Sequence, residues 1–106
     1  MIEVKGLQNH EADNVATLFG AGVKPGDDVE VSDPKGEKTV YRVLNQVPFG
    51  HKIAITKIAE GEQVTKYGEE IGVATCEIAV GEHVHVHNVD SIRGRGDWAD
   101  NEGDKR

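Results

Sequence analysis

One cysteine, three prolines, one tryptophan, two tyrosines and two phenylalanines are all that this 106-residue chain holds of the side chains that commonly brace a small domain. A lone cysteine excludes an internal disulfide. Cys76 falls in a predicted strand and reads as a small core or near-core residue. With so few aromatics, the core must be built from Val, Ile, Leu and Ala. No apolar run approaches the roughly 20 residues of a membrane span, and Met1 to Lys5 lacks a signal-peptide pattern. The expectation is a cytoplasmic protein without a membrane partner. Twelve basic residues against 19 acidic ones give a net charge of −7. Phosphate neutralisation needs a basic face, so a nucleic-acid partner is excluded. No segment carries a full amphipathic helical period; at most a short turn sits near residues 56–59.

What the chain has is glycine, 13 in all, recurring where short apolar runs end. Ile2/Val4, 15–19, 29–31, 38–44, 53–55 and 71–74 read as strands rich in β-branched residues. Asp33-Pro34-Lys35-Gly36, Pro48-Phe49-Gly50-His51-Lys52 and Lys66-Tyr67-Gly68-Glu69 are turns between them. One turn signature recurs: Val23-Lys24-Pro25-Gly26-Asp27-Asp28-Val29, Ile58-Ala59-Glu60-Gly61-Glu62-Gln63-Val64, and Ile78-Ala79-Val80-Gly81-Glu82-His83-Val84. Each has an apolar anchor, a glycine that supplies an otherwise strained φ, an acid, and entry into a strand. The spacing is uneven, so the copies are a reused device in one compact all-β domain, 1–90, rather than a solenoid. From residue 91 the apolar period is lost and a polar tail, 91–106, follows, with Trp98 as its one anchor.

Polar chemistry gathers in three places. His83, His85 and His87, read as one strand, share a face, with Val84, Val86 and Val89 on the buried side or just past its end. His-x-His spacing lets two imidazoles converge on a metal, or move protons near neutral pH. A solvated strand face that blocks edge pairing is the plainer reading for any one histidine, but the row of three with Asn88 at its end favours a site. Gly50-His51-Lys52 and Lys66-Tyr67-Gly68 set charge or a proton beside a glycine that could let a ligand approach the backbone, but on the residues alone they read better as turns with solvated lysines beside them. His10, Glu11 and Asp13 are metal-capable in type but read better as a solvated turn. There is no nucleophile elbow, P-loop or spaced carboxylate pair. The domain is also small for a sugar-sized pocket, so it reads as part of a larger active site.

Three runs are recognisable in order: Val47-Pro48-Phe49-Gly50-His51-Lys52-Ile53-Ala54, Lys66-Tyr67-Gly68-Glu69-x-Ile71-Gly72-x-Ala74, and Gly81-Glu82-His83-Val84-His85-Val86-His87-Asn88. With Asp13-Asn14-Val15-Ala16 ahead of them, residues 9–97 resemble the amino-terminal domain of the altronate dehydratase family. That domain is of the SAF type, similar to the antifreeze-like domain of sialic acid synthases. The resemblance implies a β-clip fold of short strands with little helix. It also implies a small subunit acting with a large dehydratase subunit on a sugar-acid substrate, by β-elimination of water from an aldonate. The related sulfolactate sulfo-lyase alpha subunit, with a similar Arg-Gly-Arg-Gly-Asp end, is an alternative. A non-catalytic sugar-acid-binding module or homo-oligomerisation module is another. The resemblance further implies iron or manganese, held mainly by the large subunit. The galactarate branch shares the Gly-His-Lys and Tyr-Gly-Glu turns more firmly than the histidine row. The implied roles are catalysis for His51 and Lys52 and substrate binding for Lys66 and Tyr67; from their own row, His85 and His87 are the candidates for metal ligation or proton transfer.

Overall fold

The structure is a computed structural model that describes residues 4–20 and 23–91. Nine short strands follow in order: β1 (Val4–Leu7), β2 (Val15–Leu18), β3 (Asp28–Ser32), β4 (Lys38–Arg42), β5 (Lys52–Ala54), β6 (Gln63–Lys66), β7 (Glu69–Ala74), β8 (His83–Val84) and β9 (Val89–Ser91). No helix forms among the described residues, as the absence of a 3.6-residue period predicts. The polar tail and Trp98 lie outside the described residues from position 92 onward.

Six strands make one sheet in the order β4-β3-β1-β2-β5-β8, and three make a second, β6-β7-β9. Only β1 and β3 run parallel; every other pair is antiparallel. β2 is buried on both faces, which is why it reads as a continuous apolar run. Its Ala16 and Leu18 enter one core with Val29, Val31, Val47 and Ile53. Its Val15 enters a second with Ile58, Val64, Ile78 and Val84. β5 divides in the same way, Ile53 to the first core and Ala54 to the second. Both cores are aliphatic, as the shortage of aromatics requires; Tyr41 only packs against the edge of the first.

The recurrent turn is what knits these short strands together. In each copy the anchor, Val23, Ile58 or Ile78, is fully buried. The glycine holds a positive φ of 93° at Gly26, 83° at Gly61 and 88° at Gly81. The acid accepts a hydrogen bond from the amide three residues back: Asp27 from Lys24 at 2.9 Å, Glu62 from Ala59 at 2.8 Å, Glu82 from Ala79 at 2.9 Å. The glycine amide then donates to a strand-end carbonyl, at Val43, Ala74 and Ala54 respectively, and that residue's amide donates back to the acid's carbonyl.

A fourth copy lies at residues 47–53. Val47 is buried, Gly50 has φ 81°, the Gly50 amide donates to the Leu18 carbonyl at 2.9 Å, and the Leu18 amide donates to the His51 carbonyl at 2.9 Å. Here the acid is replaced by His51, and the residue three back is Pro48, which has no amide to cap. The four anchors pair off as antiparallel bridges, Val23 with Val47 and Ile58 with Ile78.

Two expectations are corrected by the structure. Cys76 is exposed, because it sits in the loop between β7 and the Ile78 anchor rather than in a strand. The histidine row is a strand only as far as Val84, and Val86 is 81% exposed instead of facing the core. The Asn88 side chain bonds the backbone of this segment locally and competes with the ladder, so a turn replaces the strand.

Candidate functional site: a histidine cluster beside a half-buried lysine

Asn88 is 1% exposed and directs the turn that carries the histidines. Its Oδ1 accepts from the His85 amide at 3.0 Å and its Nδ2 donates to the His83 carbonyl at 2.9 Å. The backbone adds an Asn88 amide to His85 carbonyl bond at 3.1 Å. From the adjoining loop, the Asn45 Oδ1 accepts from the His83 amide at 2.9 Å. With both ends held, His83 and His85 are fixed relative to each other before any ligand arrives.

The β5–β8 register supplies the partner. Lys52 pairs with Val84 and Ile53 with His83; one step further along the same register sets His51 across from His85. Their rings stack with centroids 4.1 Å apart, and His51 and His83 with centroids 5.1 Å apart. His51 Nδ1 lies 2.9 Å from His83 Nε2, a hydrogen bond in which one ring keeps its proton. One ring nitrogen from each of His51, His83 and His85 falls within 4.8 Å of the others. The His87 ring lies tilted against that of His83, centroids 5.1 Å apart, and stands outside that group. The structure thus joins His85 to His51 and His83, residues from two separate runs of the sequence.

Burial pushes the His83 imidazole down to about 4, helped by the charges of His87, His51, His85 and Lys52. His85 is lowered by burial and by the same kind of neighbours, His51 first. Lys52 is lowered as well, by burial and then by Lys66. The corner therefore disfavours protonation of Lys52, His83 and His85. Near neutral pH it holds His83 as a neutral imidazole with a lone pair to offer. Lys52 and His85 also line a cavity of about 170 Å³ with Ile71, Val84, Val86, Val89 and Ser91.

Lys66 and Tyr67 sit on the β6–β7 turn, the Lys66 Nζ 5.0 Å from the centre of the Tyr67 ring. Tyr67 is 64% exposed with φ 57°, in the left-handed region that a non-glycine residue enters only when held there. What holds it is Asp13. This carboxylate, 4% exposed, accepts from the amides of His10 at 3.0 Å, Tyr67 at 3.0 Å and Gly68 at 2.8 Å. Next to it, the Asn14 side chain pairs with β6, accepting from the Thr65 amide at 2.8 Å and donating to the Gln63 carbonyl at 2.9 Å. The 9–14 loop is thus a clasp on the turn that presents Lys66 and Tyr67. His10 lies over Gly68 and accepts from the Ala12 amide, so it serves the clasp.

Whether iron or manganese suits this corner follows from the donors. Three imidazole nitrogens and no carboxylate make a borderline-soft set that matches iron(II), cobalt(II), nickel(II) or zinc(II), whereas manganese(II) prefers oxygen. His51, His83 and His85 are the residues that would hold such an ion.

Residues 4–92 match the family described as the altronate/galactarate dehydratase SAF domain. The (2R)-sulfolactate sulfo-lyase subunit alpha of Chromohalobacter salexigens is 40% identical over 86 residues, covering 79% of this chain and 92% of that protein. The altronate dehydratase of Escherichia coli K12 is 40% identical over 82 residues, covering 77% of this chain but 15% of that protein. The sulfo-lyase subunit alpha of Paracoccus pantotrophus is 43% identical over 47 residues, 44% of this chain and 70% of that one. An all-β body of short strands, a match over nearly its whole described length and two such relatives agree: this chain belongs to the altronate/galactarate dehydratase SAF-domain family.

Proposed function

We propose that the chain is the SAF-domain small subunit of an altronate-type sugar-acid dehydratase, lending its His51–Lys52 corner to a pocket completed by a large dehydratase subunit. The observation that carries this reading is the convergence of three imidazoles beside a half-buried lysine, from two segments locked by backbone hydrogen bonds. The 15% share of the Escherichia coli altronate dehydratase that the chain matches supports a larger partner.

The chemistry is a β-elimination. A base removes the proton α to the carboxylate, the C–H electrons form the C=C bond, and the C–O bond on the next carbon breaks as the hydroxyl takes a proton and leaves as water. Lys52 pairs with the substrate carboxylate, whose negative charge offsets the burial and the neighbouring Lys66 that lower the lysine alone. His51 and His85, the imidazoles beside it, would take one proton or deliver the other. Lys66 and Tyr67, held out on their turn by Asp13, meet the sugar hydroxyls. A bound transition ion would polarise the carboxylate or the departing hydroxyl.

A second reading has one observation in its favour, the 92% coverage of the sulfo-lyase subunit alpha. There the same proton abstraction expels sulfite by breaking a C–S bond. Co-expression with a large dehydratase-like chain, followed by assays of keto-acid and sulfite release from altronate, galactarate and sulfolactate, separates the two. His51→Ala and Lys52→Ala should lower turnover by about 100-fold or more. Equal turnover by wild-type and variant complexes would refute the assigned roles.

A further inference from the structure

We propose that His51, His83 and His85 form a three-imidazole site that binds one divalent first-row transition ion on this chain itself, without the large subunit. The geometry is close to what such an ion needs. Imidazole nitrogens bound at about 2.0–2.1 Å in tetrahedral array lie about 3.3 Å apart. Here one nitrogen from each ring already lies within 4.8 Å of the others, and one pair is at 2.9 Å. Side-chain rotation of the order of 1 Å closes the set, and the His51–His83 hydrogen bond exchanges its proton for the ion by a change of tautomer.

The frame around the rings is built to hold them. Asn88 fixes the backbone at His83 and His85 from a buried position, and Asn45 fixes the His83 amide. His51 stands where the other three copies of the turn place an acid that caps its own turn. Pro48 offers no amide there, so this position is released from capping and its ring is free to face β8. An all-nitrogen set with no carboxylate selects zinc, cobalt, nickel or iron(II) and rejects calcium and magnesium. Three ligands leave at least one position for water or an acid ligand, as in catalytic rather than structural zinc sites.

The test uses the untagged full chain, with metal binding as the readout and no lyase assay, so it is independent of the function proposed above. Calorimetry with zinc should show one site per chain with a Kd of about 1 μM or tighter. Cobalt should give visible absorption bands of a low-coordinate nitrogen site. His51→Ala and His83→Ala should each weaken binding by about 100-fold or more, while His10→Ala should leave it unchanged. Circular dichroism and urea unfolding establish that each variant is folded. Absence of a one-to-one zinc site would overturn the proposal. So would retention of affinity in a folded His83→Ala chain, or loss in His87→Ala with retention in His51→Ala.

Discussion

Replacing Asp13 tests how the Lys66–Tyr67 turn is held. Its two oxygens accept three backbone amides, Oδ2 from His10 and Tyr67, Oδ1 from Gly68. Hydrogen bonds to a charged acceptor contribute about 1.5–3 kcal/mol each, but the Tyr67–Gly68 turn is exposed enough for water to replace part of this. Asp13→Ala should therefore cost about 3–4 kcal/mol. Asp13→Asn is more discriminating, because its one oxygen can keep the His10 and Tyr67 bonds while its NH2 group faces the Gly68 amide, donor against donor. The expected cost is about 2 kcal/mol, one lost charged bond and a polar clash. With a urea slope of about 1 kcal/mol/M for a domain this small, the midpoint should fall by about 2 M for Asn and 3–4 M for Ala. Amide exchange at Tyr67 and Gly68 should accelerate more than in β2, since the left-handed Tyr67 backbone loses its clamp. An Asp13→Asn midpoint within about 0.5 M of wild type, or an Ala variant no weaker than Asn, would refute the clasp.

Gly81→Ala should destabilise by about 3 kcal/mol or more or prevent folding, because its Cβ would overlap the Arg42 carbonyl oxygen at a φ of 88°. Gly61→Ala, with the same kind of φ but nothing within 4 Å, should cost only about 1–2 kcal/mol in urea unfolding. In the metal-free chain, His83 is faced by His51, His85, His87 and Lys52 and takes its proton only near pH 4, whereas the unfolded chain takes it near 6.5. The unfolded state then holds more protons between those values, so stability should rise with pH across that window and level off above it. After discount for solvent screening this amounts to about 1–2 kcal/mol. It is read as the difference between wild type and His83→Gln in urea midpoints at pH 4.5 and 7.5 with chelator, and equal slopes for the two would refute it. Cys76, being exposed, should react with a thiol reagent in the folded chain, and Cys76→Ser should shift stability by less than about 0.5 kcal/mol.

Much of this was legible in the residues, and what was not has physical reasons. Strand positions follow from β-branched runs between turn residues, and β2 and β5 carry aliphatic residues on both faces because they lie between two cores. The turn device was visible in three copies through its acid, but the copy at 47–53 lacks the acid and is recognisable only from its hydrogen bonds. Period two put His83, His85 and His87 on one strand face, but the strand ends at Val84 and only His83 lies in it. It could not foresee that Asn88 turns the chain after Val84, leaving Val86 in solvent. The meeting of His51 with His83 and His85 depends on the β5–β8 register, which is set by tertiary pairing over 32 residues. Asp13 looked like a surface acid in a polar loop; its burial follows from the orphan amides of a turn more than 50 residues away. The one signal for it was the Asp-Asn pair itself, two side chains suited to backbone capping.

The same substitution that hides the fourth turn also opens the site. In three copies the acid is committed to its own turn, and replacing it would orphan an amide. At Pro48 no amide exists, so the position three residues on carries no capping duty and a histidine there costs the fold nothing of that kind. The turn's remaining bonds, Gly50 to Leu18 and Leu18 to His51, still fix the backbone. A structural element is thus retained while one of its side chains is released toward β8. The physical logic predicts a coupling that neither residue would show alone. Pro48→Ala restores the amide and leaves it without an acid, so a His51→Asp change should be better tolerated by about 1 kcal/mol on the Pro48→Ala background than on wild type. A double-mutant cycle in urea measures this, and a coupling energy indistinguishable from zero would mean that Pro48 and His51 are independent choices.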